Sequence, residues 1–140
     1  MDKKTCVTAV MACLLLLASI PSTSAYTGHQ LSRAEVSDFT LVDQNNENFT
    51  FSQSLSDVHV VAFIFTECPD VCPVITQSLK LVQDGLSDAD VQEVEFISIS
   101  VDPRRDTPER LATFTELHGV DWPHLTGEAD VLADVYNTFG

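Results

Sequence analysis

A continuous apolar run at residues 60–65 constrains the fold most, because its length and β-branched residues predict a strand that is covered on both faces. We place this strand at residues 58–65. A helical pattern follows this strand. Four apolar residues are predicted to share the buried face of that helix: Ile75, Leu79, Val82 and Leu86. A second strand at residues 94–101 and a second helix from Thr107 come next. Strand, helix, strand and helix in this order predict a βαβ unit with parallel strands and a right-handed crossover.

Local signals predict the remaining elements. Residues 39–42 and 48–51 flank a cluster of turn-forming residues, a pattern that is typical of a hairpin. In the second helix, Thr107 is the expected N-cap and Gly119 the expected end. The predicted buried residues of that helix are Leu111, Phe114 and Leu117. A third short helix is predicted at residues 129–138, and because no strand follows it, we expect the sequence to be a fragment of a longer domain.

The amino terminus has the features of a secretory signal peptide: a short positive start, an apolar run, and small residues before a cleavage site ahead of Tyr26. The apolar run is shorter than the roughly 20 residues that a membrane span needs. The alternative is a retained membrane anchor through residues 5–20. Either way we predict an exported, extracytoplasmic protein, in a periplasm or at the outer face of the cell membrane. We therefore divide the chain into three parts: a signal peptide or anchor at residues 1–25, a polar tether at 26–37 and a folded domain at 38–140.

Charge and cysteine usage narrow the class of function. The chain has 140 residues, enough for one domain, with 7 Lys and Arg against 21 Asp and Glu and a formal charge of −14. This balance excludes nucleic acid as the main partner, because phosphate contacts need basic side chains. Removal of the signal peptide would leave two cysteines, Cys68 and Cys72, in a compartment that we expect to be oxidising.

Cys68 and Cys72 lie between the first predicted strand and the helix after it, where functional groups commonly sit in open α/β sheets. The positive end of that helix favours thiolate over thiol. A thiolate can attack a disulfide or bind a soft metal ion such as Cu(I). The structural alternative, a disulfide staple, closes so short a loop that it would stabilise the fold by only about 2 kcal/mol. Structural zinc is disfavoured because it needs four protein ligands.

Three segments resemble the Sco/SenC family: Thr-Glu-Cys-Pro-Asp-Val-Cys-Pro at residues 66–73, Ser-Val-Asp-Pro-Arg-Arg-Asp-Thr-Pro-Glu at 100–109, and Leu-Thr-Gly at 125–127. The resemblance covers residues 39–140. It implies an α/β, thioredoxin-like fold with a central mixed sheet flanked by helices. It also implies a role outside the cytoplasm, in copper delivery for cytochrome c oxidase assembly.

The resemblance implies that Cys68 and Cys72 bind copper and can also form a disulfide. The third ligand of the family is a histidine in a carboxyl-terminal segment that this sequence does not contain. None of the four histidines present stands in that motif, and each is expected to be structural or solvated: His29, His59, His118 and His124. We place His124 in a loop beside Trp122, and we expect Trp122 to belong to the core.

The segment at residues 102–107 has two explanations. The favoured one is a tight turn at Pro103 with helix capping by Thr107. The alternative is that the segment lines the same end of the sheet as the cysteines, as a partner surface or as support for the metal-binding loop.

Two functional hypotheses follow. The first is an exported copper metallochaperone that holds Cu(I) on Cys68 and Cys72 and transfers it to the copper-bearing subunit of cytochrome c oxidase or to another copper chaperone. The second makes the chain an enzyme, a thiol–disulfide oxidoreductase that reduces cysteine pairs of an oxidase subunit. Peroxidase chemistry has weaker support. A purely structural interaction module would leave the placement of the cysteines unused.

Overall fold

The computed structural model describes residues 36–139. The predicted signal peptide or anchor at residues 1–25 lies outside the described residues, as do His29 and most of the tether predicted at 26–37. No helix within the described range has the length and apolar character needed to cross a membrane. The elements in chain order are β1 Thr40–Val42, β2 Asn48–Thr50, β3 Val58–Ile64, α1 Val71–Gly85, β4 Val94–Ser100, α2 Pro108–His118, β5 His124–Leu125 and α3 Ala129–Phe139.

The strands form a parallel sheet and an antiparallel hairpin. The sheet has the order β3-β4-β5, and both neighbouring pairs are parallel. Strands β1 and β2 make the predicted hairpin. An antiparallel bridge joins the hairpin to the residue after β5, with Val42 and Thr126 exchanging two backbone hydrogen bonds of 2.8 Å each. The predicted βαβ unit, hairpin and third helix are therefore confirmed.

The two faces of the sheet bury separate apolar clusters. One cluster joins β4 and β5 to helix α3 and the hairpin, through Phe39, Leu41, Ile97, Ile99, Leu125, Leu132 and Val135. On the other face Ile64 packs with residues of α1 and α2, including Cys72 and Leu111. Since side chains alternate along a strand, the sheet separates these clusters and lies between two layers.

The prediction that the first strand is covered on both faces is confirmed only in part, since Val61 packs against the cluster on one face and Ala62 against the cluster on the other, but neither is fully buried. Strand β3 lies at the edge of the described sheet, and Ile64 is its only buried residue. Strand β4 lies in the middle and is buried from Phe96 to Ser100. An apolar run predicts a strand but does not determine its place in the sheet, because the order depends on contacts made by distant elements.

The predicted buried faces of the helices are wrong in part. In α1 the buried residues are Cys72 and Thr76, whereas Val82 is 53% exposed and Ile75 is also exposed. In α2 the predictions for Leu111 and Phe114 are confirmed, but Leu117 is 77% exposed. Leu79 and Leu86, the other two residues of the face predicted for α1, are half-buried and pack against the buried cluster around Trp122.

The predicted ends of α2 are confirmed. The Thr107 side chain accepts a hydrogen bond from the backbone N–H of Arg110, and Pro108 occupies the first helical position. Gly119 ends the helix with a φ of 63°, in the left-handed region that favours glycine. The two caps define the ends of α2, and the helix begins directly after the segment at residues 102–107.

Candidate functional site

The two cysteines lie where strand β3 ends and helix α1 begins. Cys68 is in the connecting loop and Cys72 is the second residue of α1, and both are free, buried thiols. The Cys68 sulfur accepts a hydrogen bond from the backbone N–H of Cys72 at 3.3 Å. Asp70, at the N-cap position, makes no capping bond with its side chain. The Cys68 sulfur therefore takes the place of a capping oxygen at the positive end of α1.

The two thiols have opposite electrostatic environments. The Cys72 thiol donates to the Cys68 sulfur, and this bond, with backbone N–H groups of Asp70 and Cys72, lowers the pKa of Cys68. Burial raises the pKa of Cys72, and its hydrogen bond to Cys68 raises that pKa further. The lowered pKa of Cys68 agrees with the prediction that the helix favours thiolate, whereas at Cys72 burial has the larger effect.

A buried carboxylate supports the loop before Cys68. Asp106 is almost fully buried and accepts hydrogen bonds from the backbone N–H of Thr66 at 3.2 Å and from its hydroxyl at 2.6 Å. The Ser100 hydroxyl donates to the other carboxylate oxygen of Asp106. Asp106 thus links the ends of β3 and β4, which lie at the same edge of the parallel sheet.

The turn and cap explanation of residues 102–107 is confirmed, and the segment also contacts the loop before the cysteines; its role as a partner surface stays a prediction. The backbone N–H groups of Arg105 and Asp106 both bond to the carbonyl of Asp102, which makes the predicted tight turn. Thr107 caps α2 as expected, which leaves the Asp106 side chain free to support the loop that carries the cysteines. The sequence signal for this support is Asp106 itself, an acidic residue directly before the N-cap Thr107.

An ion-pair network next to Cys68 was not predicted. The two carboxylate oxygens of Glu67 pair separately with Arg105 and Arg110, each at 2.9 Å. Arg105 also pairs with Asp102 at 2.6 Å. The available signal was the clustering of positive charge, since three of the five Lys and Arg residues after residue 25 lie at residues 104–110.

The described histidines have structural surroundings. His59 lies 2.7 Å from the Ser54 hydroxyl, and the ring of His118, the last residue of α2, packs on Phe114. His124 is fully buried and lies on strand β5, so its prediction as a loop residue is wrong. Its Nδ1 lies 3.0 Å from the carbonyl oxygen of Trp122.

His124 is a neutral imidazole in the core. Burial lowers its pKa to about 4, against a smaller upward effect of the Trp122 carbonyl. Its ring packs against Trp122 and Phe114. Trp122 is buried as expected, and its indole N–H donates to the Ser98 hydroxyl at 2.9 Å. Both residues are therefore part of the core.

The donor set at the junction consists of two thiols. Between residues 36 and 139, no three His, Cys, Asp or Glu side chains come together as a metal site. Two thiol sulfurs suit a soft ion such as Cu(I), whereas structural zinc would need two more ligands. Cys68 and Cys72 can therefore hold a soft ion with low coordination number or react with each other.

Comparison with known proteins places the chain in one family. The sequence model of the SCO1/SenC family matches residues 27–140. The SCO1 protein homolog of Bacillus subtilis is 33% identical over 96 residues, which are 66% of this chain and 49% of that protein. An SCO2-like protein of Rickettsia typhi is 32% identical over 101 residues, 72% of this chain and 49% of that protein. The chain thus spans about half the length of the curated relatives it matches.

Solved structures agree with this assignment. ScoI of Bradyrhizobium japonicum, solved with copper bound, is 32% identical with a TM-score of 0.67, covering 76% of this chain and 67% of that one. Apo Sco1 of Thermus thermophilus is 29% identical with a TM-score of 0.72, covering 85% and 69%. BsSco, described as a cytochrome c oxidase assembly protein with a disulfide switch, is 30% identical with a TM-score of 0.63, covering 74% and 62%. The thioredoxin-like fold is confirmed, and the chain belongs to the SCO1/SenC family.

Proposed function

We propose that this protein is an exported copper metallochaperone for cytochrome c oxidase assembly, with Cu(I) as its cargo on Cys68 and Cys72. The observation that carries the proposal is the placement of both sulfurs at the positive end of α1, where the Cys72 N–H bonds to the Cys68 sulfur at 3.3 Å. Solved relatives support it, since one contains copper and another is described as an oxidase assembly protein.

The two thiols have different parts in binding. Cys68, whose pKa is lowered, supplies the first thiolate. Cys72, whose pKa is raised, gives up its proton when the ion binds, because only the thiolate is a good metal ligand. Both must be reduced, so oxidation of the pair to a disulfide would prevent loading.

Space beside the loop supports transfer to a partner. A groove of about 320 Å³ is lined by Thr66, Arg110, Thr113, Phe114 and Leu117. Leu117 is a large apolar residue that is exposed there. We propose that the copper-bearing subunit of cytochrome c oxidase, or another copper chaperone, approaches Cys68 from this side and receives the ion by exchange of thiolate ligands.

A second candidate function is thiol–disulfide exchange with a cysteine pair of an oxidase subunit. The different pKa shifts of the two thiols favour it. The Cys68 thiolate would attack the substrate disulfide, forming a mixed disulfide and releasing one substrate thiolate. Cys72 would then lose its proton and attack Cys68, releasing the second substrate thiolate and leaving a Cys68–Cys72 disulfide. Two electrons pass to the substrate.

Anaerobic Cu(I) competition titration tests the main proposal, using reduced protein that begins at Tyr26. We expect one copper per chain in the wild type and loss of tight binding in Cys68→Ser and Cys72→Ser. Val71→Ser is the matched control, because Val71 lies between the cysteines but is exposed and has no sulfur. Full affinity in Cys68→Ser would overturn the copper proposal.

The oxidoreductase is tested without copper, by following turnover of a disulfide-bonded peptide with a thiol reductant present. Turnover that requires both cysteines would support it. A wild-type rate no higher than that of the Cys68→Ser, Cys72→Ser double variant would exclude the oxidoreductase function.

A further inference from the structure

Within the described part of the chain, permanent positive charge is scarce and is concentrated at residues 104–110. Four residues carry it between positions 36 and 139: Lys80, Arg104, Arg105 and Arg110. Three of these four fall within seven consecutive residues, in a chain of formal charge −14. Two of the three, Arg105 and Arg110, contact Glu67, the residue immediately before Cys68.

The contacts form a connected network. Oε1 of Glu67 accepts from Nη2 of Arg110, and Oε2 accepts from Nη1 of Arg105. Nε of Arg105 donates to Asp102, and Nε of Arg110 lies 3.4 Å from the Thr66 hydroxyl. Isolated exposed ion pairs contribute little, whereas a carboxylate shared by two guanidinium groups restricts both partners in direction.

The ion-pair network holds Glu67, a residue of the cysteine loop that Asp106 does not contact. Asp106 holds Thr66, and the two arginines hold Glu67, so both residues before Cys68 are tied to the segment 102–110. The backbone N–H of Cys68 bonds in turn to the carbonyl of Phe65 at 3.2 Å. A loop ordered before its ligand binds loses less conformational entropy on binding.

We propose that Glu67, held between Arg105 and Arg110, is a positioning residue that fixes the Cys68 end of the loop for metal binding. The consequence for copper rests on the proposed function. The effect on loop order does not, because it concerns the metal-free protein. Glu67 touches neither the cargo nor the reacting sulfur in this role and acts only through the backbone of the loop.

The test compares Glu67→Ala, Arg110→Ala and their double variant with Lys80→Ala. Lys80 is the matched control because it also loses one positive charge and one ion pair, with Asp84 at 3.5 Å, but lies on α1 away from the loop in sequence. Two quantities are measured: amide hydrogen exchange of Cys68 in the reduced, metal-free protein, and Cu(I) affinity by competition at fixed pH.

We expect each single loop variant to speed exchange at Cys68 and to weaken Cu(I) binding by about tenfold, and the double variant to match the singles, because the residues act as one unit. Lys80→Ala should change neither quantity by more than about twofold. The direction of the change in Cu(I) affinity is decisive for Glu67→Ala, since removing a negative charge next to a thiolate would by itself strengthen Cu(I) binding.

Exchange at Cys68 that is the same in the loop variants and in Lys80→Ala would overturn the proposal. So would stronger Cu(I) binding in Glu67→Ala. If the wild type fails to bind Cu(I), the proposed function fails, and the exchange measurement alone then decides whether Glu67 orders the loop.

Discussion

His124 is a buried imidazole whose protonation opposes folding. Burial lowers its pKa to about 4 in the folded protein, whereas an unfolded chain has a histidine pKa of about 6.5. Between these values the unfolded chain binds a proton that the folded protein does not. Stability is therefore fully present above about pH 6.5 and is lost as pH falls towards 4, by about 3 kcal/mol in total.

Urea unfolding between about pH 7 and pH 5 measures this loss. We expect the pH dependence of the free energy of unfolding to disappear in His124→Phe. It should persist in His118→Gln, since His118 also faces His124 but is partly exposed. Asp38 and Glu109, whose pKa values are lowered, act below this window, because their ordinary pKa values are 3.8 and 4.5. An unchanged slope in His124→Phe would show that the imidazole is not the source.

Sequence patterns identified the cysteines of the site but only some of the residues around them. Cys68 and Cys72 could be placed because a buried strand and a helix start are local signals. The contacts of Glu67 with Arg105 and Arg110 join residues 38 and 43 positions apart, and no local pattern encodes such a pairing. The raised pKa of Cys72 depends on burial by other elements, which is also a tertiary property.

At the scale of elements, two glycines at helix ends should respond differently to alanine. Gly119 follows α2 with a φ of 63°, and Gly85 ends α1 with no positive φ. A Cβ at either position would meet no atom within 4 Å, so the two differ in backbone conformation and not in available space. We expect Gly119→Ala to lower the free energy of unfolding by about 1 kcal/mol and Gly85→Ala to leave it unchanged or raise it slightly.

Chemical denaturation of both variants at neutral pH provides the measurement. Equal destabilisation by the two substitutions would contradict the assignment of strain to the left-handed position at Gly119. A loss confined to Gly85→Ala would contradict it as well.

Helix caps, the hairpin and the parallel βαβ unit could be predicted because each has a local cause. The order of the strands could not, since β4 is central only because β3 and β5 pair on either side of it. The buried face of α1 was predicted only in part: Leu79 and Leu86 pack against the buried cluster around Trp122, but the fully buried residues are Cys72 and Thr76. Leu117 fits the apolar period of α2 and yet is exposed, so periodicity alone does not establish burial.

For the whole molecule, parallel topology explains why the site lies at one end of the sheet. The carboxyl ends of parallel strands meet at a common edge, and groups that follow them come together there. Cys68 follows β3 and Asp106 follows β4, so residues almost forty positions apart share one site. The hydrogen bonds from Thr66 and Ser100 to Asp106 are the direct result.

Net charge gives a prediction for the whole molecule. With 21 acidic and 7 basic residues, repulsion among like charges should destabilise the folded state at low ionic strength. Screening shortens from about 30 Å at 0.01 M to about 8 Å at 0.15 M salt. We expect the thermal midpoint to rise over this range of NaCl and to rise more in Lys80→Glu, measured by circular dichroism. A midpoint that falls with added salt would mean that attractive pairs such as Glu67–Arg110 outweigh the net repulsion.

X-ray absorption at the copper edge of reduced protein loaded with one equivalent of Cu(I) tests the central claim most directly, because it identifies the donor atoms. If Cys68 and Cys72 hold the cargo, the first shell of the wild type contains two sulfur atoms. In Cys68→Ser that shell should lose a sulfur, and in Val71→Ser it should be unchanged. A first shell of nitrogen and oxygen without sulfur, or one that is the same in Cys68→Ser, would contradict the assignment of copper to these two cysteines.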